Sequence, residues 1–125
     1  MEKYILKDET YRIIGICMEV HRVFGHGFSE VVYKDAIEIE ANTGQIETCR
    51  EKEYPVYYKN IFLKHKFYAD FVMFGNIIVE IKASEKDITN DYVAQAINYL
   101  KVSGCAVALI INFGRKSLEY RRIVY

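Results

Sequence analysis

Apolar positions along this chain switch between two periods, and the switches mark the elements. From Asp8 to Phe24 the spacing is helical: Tyr11, Ile14, Met18 and His21 or Val20 recur, and Ile13, Ile16, Cys17 and Val20 widen the face. Asp8 or Thr10 is the expected cap, and Gly25-His26-Gly27 the stop. Ser29 is the expected cap of a second helix, Glu30 to Asn42, closed by Gly44. Phe28 and Tyr33 suit a hydrophobic staple across its first turn, and Val32, Ala36, Ile37 and Ala41 suit a buried stripe. Three strand-like stretches follow as a meander: Ile46 to Lys59, bent or at an edge near Pro55, then Ile61 to Phe74, then Ile77 to Ala83. The turns between them are expected at Lys59-Asn60 and Gly75-Asn76. Helical spacing returns from Thr89 or Asn90 to Ser103, with Ala96, Ile97 and Leu100 inward and Gly104 as the stop. Cys105 to Ile111 is a continuous apolar run, which suits a central buried strand. Asn112-Phe113-Gly114 turns the chain into a charged edge strand, Leu118 to Val124.

The order is α-α-β-β-β-α-β-β, an α/β chain. The stretch after Ala83 is long enough for a right-handed crossover, which sets Cys105 to Ile111 parallel to the Glu80 strand and covers the sheet with helices. One domain, residues 1–125, suits a chain of 125 residues.

Three charges interrupt the apolar hairpin: Asp70, Glu80 and Lys82. Side chains alternate along a strand, so Glu80 and Lys82 share one face and Ile81 takes the other. Pairing about the Gly75-Asn76 turn sets Asp70 near the level of Glu80. Buried charges need partners or a metal. One reading is an ion pair of Lys82 with either carboxylate. The other is a divalent cation held by Asp70 and Glu80, since hard cations take carboxylate, carbonyl and water oxygens.

Composition narrows the function classes. The chain is 51% hydrophobic, too apolar for a disordered segment. No apolar run approaches a membrane span. Met1-Glu2-Lys3-Tyr4 has no apolar signal region, so a cytoplasmic location and no membrane partner are expected. Cys17, Cys49 and Cys105 are scattered among apolar or strand-like neighbours and read as buried thiols without metal-ligand spacing. Net charge is zero, whereas a dedicated duplex binder usually carries a basic excess. Basic residues cluster only locally, at Lys64 and Lys66, and at Arg115, Lys116, Arg121 and Arg122. A homodimer would bring two such clusters together. Eleven tyrosines offer base-stacking surface, although most tyrosines in a small mixed domain are half-buried packing residues. His21, His26 and His65 read as packed or surface histidines.

Taken together, these positions resemble a known family. Asp70, ten residues before Glu80-Ile81-Lys82, resembles the PD-(D/E)XK nuclease motif, with Ala69 where that motif has proline. Gly27-Phe28-Ser29-Glu30-Val31-Val32-Tyr33 is similar to the GxxExxY pattern of a small prokaryotic family in that superfamily. Gln95-Ala96-Ile97-Asn98-Tyr99 resembles its QxxxY motif, and Asn112-Phe113-Gly114 and Arg121 fit too. The resemblance runs from about Ile13 to Arg122. It implies a restriction-endonuclease-like three-layer core, with a mixed sheet of about five strands flanked by helices. It implies a nuclease dependent on magnesium, with manganese able to substitute, acting on nucleic acid, DNA first.

In the family, the aspartate, the glutamate and the carbonyl between glutamate and lysine bind metal, which gives Asp70, Glu80 and Ile81 here. Glu30 would be a further ligand, direct or through water. Lys82 would position the attacking water, Gln95 would hold the water or the lysine, and Tyr99 would meet phosphate or support Gln95. Arg115, Lys116 and Arg121, with Tyr99, would contact nucleic acid. A nuclease-fold binding or regulatory module is the alternative, because fold does not fix function.

Overall fold

A computed structural model describes residues 4–125; Met1 to Lys3, part of the segment searched for a signal region, lie outside the described residues. The elements are α1 (Lys7–Phe24), α2 (Glu30–Thr43), β1 (Thr48–Tyr54), β2 (Tyr57–Tyr58), β3 (Ile61–Phe62), β4 (Phe67–Met73), β5 (Ile77–Lys82), α3 (Asn90–Ser103), β6 (Val107–Asn112) and β7 (Glu119–Val124). Five strands form one sheet in the order β1-β4-β5-β6-β7. Only β5 and β6 run parallel, joined by the crossover through α3; the other pairs are antiparallel. Ile13, Cys17 and Val20 of α1 and Tyr33, Ile37 and Ala41 of α2 pack on one face, against Phe71, Val79, Ile81 and Leu109. Ala96 and Leu100 of α3 pack on the other, against Val72, Ile78, Ala108 and Ile110. The result is the expected three-layer, restriction-endonuclease-like arrangement with a mixed five-stranded sheet. Among the described residues no helix is long and apolar enough to cross a membrane.

Several local expectations shift. Pro55 lacks an amide donor and ends β1. The meander therefore breaks, and β2 and β3 form a separate small hairpin around Lys59 and Asn60, both in the left-handed region. The β4–β5 turn is centred on Phe74 and Gly75, with φ 56° and 70°; Asn76 N–H closes it on the Met73 carbonyl. Asn76 instead accepts the Ala106 N–H through its side chain. The buried stripe of α1 runs through Ile13, Cys17 and Val20, while Tyr11 and Met18 are exposed. Apolar residues occupy so much of α1 that periodicity alone could not orient it. Leu6, not Asp8 or Thr10, is its cap, and the Thr10 hydroxyl donates back to the Lys7 carbonyl. Ser29 caps α2 in position but makes no side-chain cap bond. Cys17 is buried and Cys105 half-buried, but Cys49 is exposed because β1 is an edge strand.

Two sequence motifs meet in the core. Tyr33 stacks on Phe113 with ring centroids 4.5 Å apart. Its hydroxyl donates to the Gly25 carbonyl and accepts the Phe28 N–H, which fixes the α1–α2 turn. Asn112 is fully buried at the end of β6. Its Oδ1 accepts from Ser84 and Gly114, and its Nδ2 donates to Ser84, Lys86 and Glu119. A Cβ on Gly114 would lie 2.3 Å from the Ser84 carbonyl oxygen, so only glycine fits there. Gly114→Ala should therefore cost about 1–3 kcal/mol by overpacking. Gly15→Ala, within α1 and with nothing within 4 Å of the added Cβ, should gain about 0.5–1 kcal/mol. Paired thermal or urea denaturation of the two variants measures both signs.

Candidate active site

Strands β4 and β5 pair only as far as Phe71–Val79. Beyond that level Phe67 to Ala69 stay with β1, and Glu80 to Lys82 stay with β6. The sheet forks, and Asp70 and Glu80 stand at the crotch. Each carboxylate takes a backbone donor of the opposite prong. The Asp70 N–H donates to Glu80 Oε2 at 3.0 Å, and the Ile81 N–H donates to Asp70 Oδ2 at 2.8 Å. Side chains replace the ladder bonds that the fork removes. Glu51, opposite Asp70 in β1, has φ 56°, an irregularity at the same level.

The Glu80 side is buried, with 7% of the residue exposed. Burial first, then the Asp70 charge, push its carboxyl up from 4.5 to about 8; the Asp70 N–H, Lys82 and Lys34 pull the other way. The cation that reaches the pair is Lys34, which sequence reasoning missed. Its ammonium donates to Asp70 Oδ1 at 3.1 Å and to Glu51 Oε2 at 2.9 Å. Burial opposes its charge, yet those two bonds outweigh it and hold the lysine above its usual range. The clue available was position: Lys34 lies one helical turn after Glu30, on the same side of α2.

Lys82 is not the ion-pair partner. Its ammonium sits 4.4 Å from the centre of the Tyr92 ring and donates to Gln95 Oε1 at 3.5 Å, with no carboxylate within salt-bridge distance among the described residues. Gln95 thus stands beside the lysine. Tyr99 donates its hydroxyl to the Tyr68 carbonyl and packs on Phe67; no bond joins it to Gln95 among the described residues. Burial first, then the charges of Glu80, Asp70 and Glu51, push its hydroxyl up to about 12, which keeps it a proton donor. A groove of about 460 Å³ opens in the fork, lined on one prong by His65, Lys66, Phe67 and Tyr68 and on the other by Glu80 and Lys82, with Gln95, Asn98 and Tyr99 above.

Other expected residues stand apart from that groove. Glu30 is exposed at the start of α2. Arg115 and Lys116 line a different cleft of about 520 Å³ with His26, Gly27, Phe28 and Glu85, and Arg115 pairs with Asp87. His21 is packed, bonded to the Arg115 carbonyl. Arg121 faces Ile110 across the edge of the sheet, one strand beyond β6. Glu80 lies one strand to the other side, and Ile110 between them is buried in the α3 cluster.

The family model of the PD-(D/E)XK nuclease superfamily matches residues 7–123. The chain belongs to this superfamily. No curated protein matches it. Among solved structures, the crystal structure of SSO0001 matches with TM-score 0.57 and 16% identity, over 74% of this chain and 48% of that one. This chain spans about half of that protein, and the likeness is one of fold.

Divalent metal is general in this superfamily. Among the described residues no three His, Cys, Asp or Glu side chains form a ready metal cluster. The donor chemistry still fits magnesium, which binds through one or two carboxylates plus water and phosphate oxygens. Asp70 and Glu80 supply such a pair, and Glu80, forced toward its protonated form by burial, gains from any cation that arrives.

That raised carboxyl has a measurable consequence. A group whose folded pKa exceeds its unfolded value contributes stability below the unfolded pKa and loses it as pH rises through the folded one. For Glu80 the loss spans the window from 4.5 to about 8. In chelator, Glu80→Gln should match wild type near about pH 4 and melt higher above about pH 8. Thermal denaturation across that range checks the crossover.

Proposed function

We propose that the protein is a divalent-metal-dependent nuclease that hydrolyses phosphodiester bonds in DNA. One observation carries the reading. The superfamily's glutamate and lysine, with Gln95, line one groove at a fork in the sheet, and the aspartate is bonded across that fork to the glutamate strand, on a scaffold that holds them from three elements. Asp70, Glu80 and the Ile81 carbonyl would hold the cation, and Glu30, outside the groove at the start of α2, would reach it only through water. A bound divalent cation supplies Lewis acidity, an activated water and charge neutralisation. Lys82 orients the attacking water and offsets charge on the phosphate, and Gln95 fixes the lysine through its Oε1. Tyr92 supports the Lys82 ammonium from below without cancelling its charge, as a carboxylate would. Lys34 neutralises Asp70 until a cation arrives.

A second reading, a nuclease-fold nucleic-acid-binding or regulatory module, draws on that same Lys34 contact, which already satisfies Asp70 without metal. Cleavage of labelled DNA with magnesium or manganese separates the two. Wild type should cleave, Glu80→Ala and Asp70→Ala should fall to background, and Lys82→Ala should lose about 100-fold or more. Magnesium should also raise the melting temperature of wild type and not of Glu80→Ala. No cleavage and no magnesium shift would favour the binding module.

A further inference from the structure

The β2–β3 hairpin stands outside the five-stranded sheet and exposes four large apolar side chains within six residues. Tyr57, Tyr58, Ile61 and Phe62 are 58%, 60%, 67% and 62% exposed. Tyr57 and Phe62 form a cross-strand ring pair with centroids 4.3 Å apart. Neither apolar cluster of the core includes any of these residues. Large apolar residues left open in this way mark a binding surface.

Charge says what binds. From Tyr54 to Ala69 the sequence holds Lys59, Lys64 and Lys66, with His65, and no acid. Lys66 pairs with Glu53 from the neighbouring strand. Lys59 instead lies over the Tyr58 ring and keeps its charge. An apolar protein partner would not need this bias, whereas a phosphate-bearing strand would. Continuity points the same way. The chain runs from Phe62 through Leu63 and Lys64 directly into His65, Lys66, Phe67 and Tyr68, one wall of the Glu80 groove. Phe62 and His65 are three residues apart, at most about 11 Å of extended chain.

We infer that the hairpin is a stacking platform for unpaired nucleotides, with Tyr57 and Phe62 taking base faces while Lys59 and Lys64 track the backbone toward the groove. Duplex DNA hides its base faces and is bound mainly by neutralising phosphates. A chain of zero net charge is poorly made for that, and base–aromatic stacking supplies affinity that charge does not. The inference deepens the nuclease reading and rests on it for the use of the groove: the substrate class becomes single-stranded or frayed nucleic acid.

The test is fluorescence anisotropy of the intact protein in chelator, with a labelled oligothymidylate of about 12 nucleotides and a blunt duplex of equal length. Wild type should prefer the single strand. Tyr57→Ala with Phe62→Ala should weaken it by roughly 5- to 150-fold for each base that loses its stack, and the leucine pair should weaken it equally. Tyr57→Phe with Phe62→Tyr should bind as wild type. Unchanged melting temperatures show that each variant is folded. Equal binding of duplex and single strand, full affinity in the alanine pair, or full affinity in the leucine pair would each overturn the inference. So would conversion of a dimer to a monomer by the alanine pair with oligonucleotide binding unchanged, which would make the hairpin an interface between copies. Because binding is read without metal, failure of cleavage strikes the nuclease reading alone, and failure of stacking strikes the hairpin alone.

Discussion

Two carboxylates stand where two strands part, and the rest of the site depends on how they are held. A splayed pair of strands leaves amide donors without partners. Here Asp70 and Glu80 each accept one such donor from the other prong, at 2.8 and 3.0 Å. The acids that give the site its charge are therefore also what keeps the fork at its width. An apolar replacement would remove charge repulsion but leave an amide unpaired, a cost of about 1–3 kcal/mol. The arrangement is stabilised from outside by Lys34, which spans α2, β1 and β4 through its bonds to Glu51 and Asp70. A second carboxylate beside a half-neutralised first is what a divalent cation relieves best.

The conspicuous motifs divide into two kinds of work. Tyr33, Asn112, Phe113 and Gly114 build the scaffold. Tyr33 ties the α1–α2 turn and stacks on Phe113, Asn112 gathers the chain around Ser84, and Gly114 allows the close approach. Their effect on the site is to fix the end of β5 and the start of α2. Glu80, Lys82 and Gln95 face the groove instead and make few bonds within the protein. A residue's membership in a sequence pattern does not reveal which of these jobs it does; its hydrogen bonds do.

Legibility followed the range of the interactions. Strand runs such as Phe71 to Met73 and Ile77 to Ile81, and the α3 boundaries at Thr89 and Gly104, are local and read directly from side-chain type. The level of Asp70 against Glu80 was accessible because a hairpin turn fixes register, even though the turn itself sits one residue earlier. Lys34 was out of reach because its contacts with Asp70 and Glu51 join three elements distant in sequence. The face of α1 was misjudged at Tyr11 and Met18 because Ile13, Cys17 and Val20 compete at the same period. The hairpin was half legible: Pro55 pointed to a bend or an edge, but not to a break that leaves the residues after it outside the sheet.

The distribution of cations gives the last constraint. Arg22, Lys34, Arg50, Lys66 and Arg115 are spent on carboxylates. Lys52, Lys59, Lys82, Lys101 and Arg122 lie over tyrosine rings instead, Lys59 on the hairpin and Lys82 in the groove. A carboxylate cancels a lysine's charge, whereas an aromatic face orients it and leaves it available to an anion. In a chain whose total charge is zero, this keeps positive potential on the surface, and Lys59 and Lys82 keep it on the hairpin and in the groove. Lys59 stands on the hairpin, and Lys82 stands on β5, across the groove from the segment that joins the hairpin to the fork. A phosphodiester strand laid along it would meet one at entry and the other beside Asp70 and Glu80.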